Sequence, residues 1–92
     1  MFIEKRIKKY EKIFDELSFK LQHDSECFLT EKNLIKKVKI LEKYYNSRLW
    51  KMDFEADEQG RLPSDLKRGI LSEDGIYNLL CEIHSLKIID KA

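Results

Sequence analysis

Six apolar residues, Ile3, Ile7, Tyr10, Phe14, Leu17 and Leu21, recur at intervals of four, three, four, three and four, and no Gly or Pro occurs among the first 24 positions. A strand would alternate every second residue, so this spacing describes a helix with one apolar face. Ile13 widens that face beyond a strict heptad seam, as in a helix packed into a small bundle. At 1.5 Å per residue the element is about 33 Å long. In a chain of 92 residues such a helix dominates the architecture. The sequence predicts one domain over residues 1–92, burying roughly 60–65% of its unfolded surface around a single core.

The same period continues downstream. His23-Asp24-Ser25 marks the end of the first helix, and Ser25 and Thr30 are the candidate caps for the second. Leu34, Val38, Leu41 and Tyr45, with Ile35 beside them, form the apolar face of that second helix, and a short polar join makes the pair an antiparallel hairpin. Asn46 suits a left-handed closing residue, and Ser47 suits the cap of a third helix running from Arg48 to about Glu58. Trp50 and Phe54 share one face of it. Gln59-Gly60-Arg61-Leu62-Pro63 ends it, and Ser64 to Arg68 is expected to make at most one helical turn, closed by Gly69. Ser72 caps the last helix, Glu73 and Asp74 favour its positive end, and Leu71 with Ile76 forms a hydrophobic staple. Ile76, Leu79, Leu80, Ile83 and Leu86 supply its buried face. The expected fold class is all-α: a small four-helix arrangement, with a long N-terminal antiparallel hairpin and two shorter helices joined by a structured elbow.

Charge narrows the functional classes. Charged residues make up 38% of the chain and the net charge is +1, whereas a dedicated nucleic-acid binder usually carries a strongly basic domain. The balance is uneven along the chain: residues 1–48 carry +4 and residues 49–92 carry −3. The apolar runs fall short of a membrane span, and the early charges leave no hydrophobic leader, so a cytoplasmic protein without membrane contact is expected. Two cysteines are too few for a disulfide framework, which makes Cys27 and Cys81 free thiols in a reducing compartment.

Chemistry is sparsely signalled. His23 with Cys27 and Cys81 with His84 have zinc-like spacings, but the first pair straddles the helix break and the set reads better without a metal. Asp53, Glu55, Asp57 and Glu58 lack the Gly and the bidentate Glu of a calcium loop, and read mostly as a solvated face, with Asp53 and Asp57 a four-residue pair able at most to chelate an ion weakly. There is no Ser/His/Asp order, phosphate loop or His-Glu-x-x-His spacing. The expectation is therefore no enzyme, no cofactor and no catalytic residue.

Two binding surfaces remain. Lys32, Lys36, Lys39 and Lys43 lie on one side of the second helix, opposite its apolar seam, as a candidate phosphate-backbone track. Around the elbow, Tyr45, Trp50 and Tyr77 supply aromatic surface, while Asp53, Asp57, Lys67 and Arg68 supply both signs of charge. An aromatic centre with a mixed polar rim is a common form of protein-binding hot spot.

The segments YYNSRLWKMDFEAD, Tyr44 to Asp57, and LPSDLKRGILSEDGIYNLL, Leu62 to Leu80, resemble a family of small, mostly bacterial proteins known as a domain of unknown function. The heptad-rich N-terminal region agrees as well, so the likeness covers nearly the whole chain. Asn46 stands where many members have Gly. The resemblance implies a helical architecture in the bacterial cytoplasm, and implies no activity or cofactor. At the matching positions, Trp50 and Leu62 are expected to pack under the elbow, Asp65 to start its turn, and Lys67 and Arg68 to pair with Asp53 or Asp57. The leading expectation is a non-enzymatic interaction module, whether adaptor, regulator or toxin-neutralising partner, that docks to another protein. The alternative is a nucleic-acid-associated regulator using the lysine stripe. The hairpin also offers a surface for a homo-oligomer.

Overall fold

The computed structural model describes the backbone of residues 2–91 and the side chains of residues 3–86. The elements are α1 (Phe2–His23), α2 (Cys27–Thr30), α3 (Lys32–Tyr45), α4 (Arg48–Glu58), a 3-10 turn (Gly69–Leu71) and α5 (Glu73–Lys91). Among the described residues every regular element is helical. They assemble into an elongated body of 44 × 20 × 18 Å.

The heptad face of α1 builds the core. Ile7 and Leu17 are fully buried, and Ile3, Tyr10, Ile13, Phe14 and Leu21 pack partly buried against them. Opposite stand Leu34, Val38 and Leu41 of α3 and Ile76, Leu79, Leu80 and Ile83 of α5. α1 touches α3, α5 and the 3-10 turn, so the first helix is the spine on which the rest is laid.

Several local expectations are corrected. Neither Ser25 nor Thr30 caps the second long helix. The chain makes the extra short helix α2, which buries Phe28, and α3 starts after an extended Glu31 with no side-chain cap. Burial of one aromatic ring outweighs a better cap here. Asn46 is not left-handed, with φ −87° and ψ 2°. The ring turned into the core at the end of α3 is Tyr44, with Tyr45 half-buried. Ser47 does cap α4, accepting from the Trp50 amide at 3.4 Å while its hydroxyl donates to the Tyr44 carbonyl at 2.6 Å.

Helix α4 closes through Gly60, whose φ of +70° is the left-handed conformation that glycine adopts without strain. The Gly60 amide donates to the Asp57 carbonyl and the Arg61 amide to the Ala56 carbonyl, each at 3.0 Å, which is the paired closure of a Schellman motif. Residues 64–68 stay within the expected limit, with a turn at Ser64-Asp65 and no helix, but Gly69 opens the 3-10 turn instead of closing one. Ser72 caps α5, its hydroxyl accepting from the Gly75 amide at 3.2 Å. At 19 residues α5 is longer than α3 at 14, so the last helix is not one of two short ones.

Candidate functional site

The elbow between α4 and α5 is held by two side chains distant in sequence. Glu11 of α1 accepts a 2.7 Å hydrogen bond from the Ile70 amide, and the Trp50 indole N–H donates to the Ile70 carbonyl at 3.0 Å. Both backbone groups of one 3-10 residue are thus satisfied by side chains, as a buried turn requires. A Cβ at Gly69 would come within 3.2 Å of the Glu11 carboxylate and of the Phe14 ring, so any larger residue there makes these side chains shift by a few tenths of an ångström. Burial pushes the Glu11 carboxyl above its ordinary range, and the Ile70 amide offsets part of that rise.

Arg68 organises the preceding loop. Its guanidinium bonds the Asp57 carboxylate, the Pro63 carbonyl at 2.6 Å and the Leu66 carbonyl at 3.3 Å. Leu62 and Leu66 are buried beneath it. Asp65, expected to start the turn, is exposed.

A second buried cluster forms one turn further along the same buried stripe of α4. Asp53 has no solvent exposure. Arg6 of α1 grips its carboxylate with two N–H groups, and the Tyr44 hydroxyl donates to Oδ2 at 2.5 Å. Burial, then the hydrogen bond to Asp53, raises the Tyr44 phenol far above its ordinary value, while the bond to Asp53 raises the Arg6 guanidinium. Tyr44 stacks on Tyr10 with ring centroids 3.9 Å apart.

The sequence-derived elbow surface therefore divides. Trp50, 6% exposed, and Asp53 lie in the interior and present almost nothing to a partner. Trp50 stacks on Phe54 at 5.1 Å and meets the edge of Tyr45 at 4.9 Å. Asp57 and Arg68 are half-buried and bonded to each other, as one of the two expected pairings had it; Asp53 bonds Arg6 instead. Lys67 is exposed and pairs with Asp15 across the loop at 3.0 Å. Tyr77 stands out at 56% exposure. The acidic run is accordingly not a wholly solvated face.

The zinc-spaced residues serve separately. The Cys27 thiol donates to Asp24 at 2.8 Å and is pushed up to about 12, which keeps it protonated and unreactive at neutral pH. His84 meets Glu42 at 3.1 Å, and His23 lies against Phe19. Cys81 is exposed rather than a core residue. Among the described residues, no three His, Cys, Asp or Glu groups converge as metal ligands.

Two concave regions matter. The larger, about 420 Å³, lies between α1 and the loop before the 3-10 turn, where Glu4, Asp15 and Asp65 with Lys8, Lys12 and Lys67 bring both signs of charge around Pro63 and Leu66. The smaller, about 230 Å³, is lined by Tyr10, Ile40, Lys43, Tyr44, Ser47 and Leu49. Ile40 and Leu49 are 43% and 42% exposed beside it. Lys32, Lys36, Lys39 and Lys43 are all exposed along the neighbouring face of α3. Sequence reasoning passed over Ile40 and Leu49. The available signal was that each is a large aliphatic residue lying off the stripe that buries its helix.

A short all-α unit whose buried polar side chains lock one elbow to its first helix is a small helical domain with a rigid, internally braced turn. The chain belongs to a family described as a domain of unknown function, DUF4298, which matches residues 7–89. No curated protein and no solved structure matches it.

Proposed function

We propose that this chain is a non-enzymatic docking module, an adaptor, regulator or neutralising partner that works by binding another protein. The observation that carries the reading is the uncovered aliphatic pair Ile40 and Leu49 beside a preformed depression, since an apolar centre within a polar rim is the usual build of a binding hot spot. The polar groups of the elbow support it from the other side: Glu11, Asp57 and Arg68 are engaged in holding the fold. A bacterial cytoplasmic setting belongs to the same reading, and the two free thiols suit a reducing compartment. Tagged protein cross-linked in its native host and identified by mass spectrometry tests the proposal. A protein partner recovered near one-to-one supports it; recovery of nucleic acid alone, or of no partner, overturns it.

A second reading rests on the four exposed lysines of α3. Their three-turn track, about 16 Å long, suits a phosphate backbone. Under this reading the protein retards a nucleic acid in a gel at low salt. Changing all four lysines to Gln abolishes the shift without unfolding the chain.

A further inference from the structure

We propose that the depression between α1, α3 and α4 receives an apolar side chain from an acidic amphipathic helix of a partner protein. This rests on the docking reading and assigns its surface and the chemistry of its occupant.

The floor is rigid before anything binds. Tyr10 and Tyr44 stack with planes within 2°, and the Tyr44 hydroxyl is fixed by the buried Asp53. Pre-organisation of this kind removes part of the ordering cost of association. The walls are aliphatic, from Ile40 on α3 and Leu49 on α4, and both residues keep two-fifths of their surface in water. Covering them is favourable in proportion to the apolar area removed from solvent.

The rim is cationic. Lys43 lines the depression; Lys36 and Lys39 stand one turn before and directly beside Ile40 on the same helix, both exposed. On the α1 side the Lys9 ammonium sits 5.3 Å from the centre of the Tyr10 ring. An apolar centre with ammonium groups on both flanks is complementary to a helix that presents an aliphatic stripe bordered by carboxylates. The lysine track runs for three turns, enough to meet acidic residues one helical turn apart on such a partner.

A nucleobase fits this place less well. Base stacking needs an open aromatic face, and one face of Tyr10 is covered by Tyr44 while the other carries the Lys9 ammonium. Aliphatic walls favour a branched apolar side chain instead.

The probe is a fluorescent synthetic helix of about five turns, with Leu along one face and Glu on both flanks. Binding is followed by anisotropy and by amide shifts of isotope-labelled protein. The expected result is a set of shifts centred on Ile40, Lys43 and Leu49. The double variant Ile40→Ser, Leu49→Ser, shown folded by circular dichroism, should bind about tenfold or more weakly, as should Lys39→Glu, Lys43→Glu. The same peptide with Lys in place of Glu should not bind. Unchanged affinity in a folded double variant, shifts centred elsewhere, or none at about 1 mM peptide overturns the assignment. So does displacement of the peptide by a thymidine oligonucleotide at equal concentration, or self-association of the protein through Ile40 and Leu49, which would make a second copy the occupant. A host partner whose capture survives the Ile40→Ser, Leu49→Ser change sinks this surface and leaves docking intact, whereas failure to capture any partner sinks the docking reading itself.

Discussion

The carboxylate of Glu11 and the backbone amide of Ile70 meet at 2.7 Å across 59 residues of sequence, and both residues are buried. This bond ties the elbow to the first helix. Arg6 repeats the device one and a half turns earlier in α1, reaching Asp53 across 47 residues.

Removing the Glu11 acceptor strands the Ile70 N–H in a dry place. Glu11→Ala should therefore cost about 1–3 kcal/mol in chemical denaturation, and Glu11→Gln, which keeps an acceptor oxygen, should cost less. The two variants also separate in pH. Burial raises the Glu11 carboxyl in the folded chain above its unfolded value, so the folded state holds this proton more tightly. The stabilisation from that proton is fully present below the unfolded value and is lost as pH rises through the folded one. Wild-type stability should fall between the ordinary carboxylate range and neutrality by more than that of Glu11→Gln, whose neutral amide does not titrate. Parallel curves for the two proteins would refute the claim.

Asp53 should prove the least replaceable polar residue. Asp53→Ala uncouples the buried end of Arg6 and the Tyr44 hydroxyl together, and should cost about 3 kcal/mol or more. Tyr44→Phe removes one bond to a charged acceptor and should cost about 1.5–3 kcal/mol. In a double-mutant cycle the two losses should sum to more than the double variant shows, because they share a bond.

The adjacent cations at the elbow should behave differently on charge reversal. Lys67 is exposed, and Lys67→Glu should leave the denaturation midpoint essentially where it is. Arg68→Glu breaks three bonds and places a carboxylate against Asp57, so a loss of about 2 kcal/mol or more is expected. The sequence alone treats these neighbours as equivalent rim charges. Equal midpoints for the two variants would refute the distinction.

Trp50→Ala should cost about 3–5 kcal/mol, the range for a buried aromatic residue. Trp50→Phe should fall well short of that. It retains most of the apolar bulk against Phe54 and loses the bond to the Ile70 carbonyl. Thermal scans of both proteins check the ordering.

The fold was readable where the signal is local. Apolar period placed α1 and α3, and Ser47 and Ser72, each capping the amide three positions on, placed the starts of α4 and α5. What escaped depends on distance in sequence. Arg6 and Glu11 lie among Lys5, Lys8, Lys9 and Lys12, and nothing in that run sets the two bonded residues apart from their solvated neighbours. Asp53 carried a faint clue, standing three residues from both Trp50 and Ala56 on the buried stripe of α4. The four-three-four period picks Tyr45 for the buried face, but a step of three from Leu41 serves a helix as well, and Tyr44 is the ring that is buried, stacked on Tyr10 of another helix. The short α2 was hidden for a related reason: Cys27, Phe28 and Leu29 are too short an apolar run to show a period, and Phe28 is buried in the short helix that packs on α5.

The reach of α1 to Asp53 and Ile70 also bears on how the chain is made. On a ribosome the first helix emerges well before either partner, and at about 5–20 residues per second roughly 3–12 seconds separate Glu11 from Ile70. Arg6 waits until Asp53 has been made and Glu11 until Ile70 has been made, and over that time the apolar seam of α1 is only partly covered. Vectorial synthesis thus delivers the spine early and the lock late, so the nascent chain relies on the α1–α3 hairpin to shield the seam until the elbow arrives.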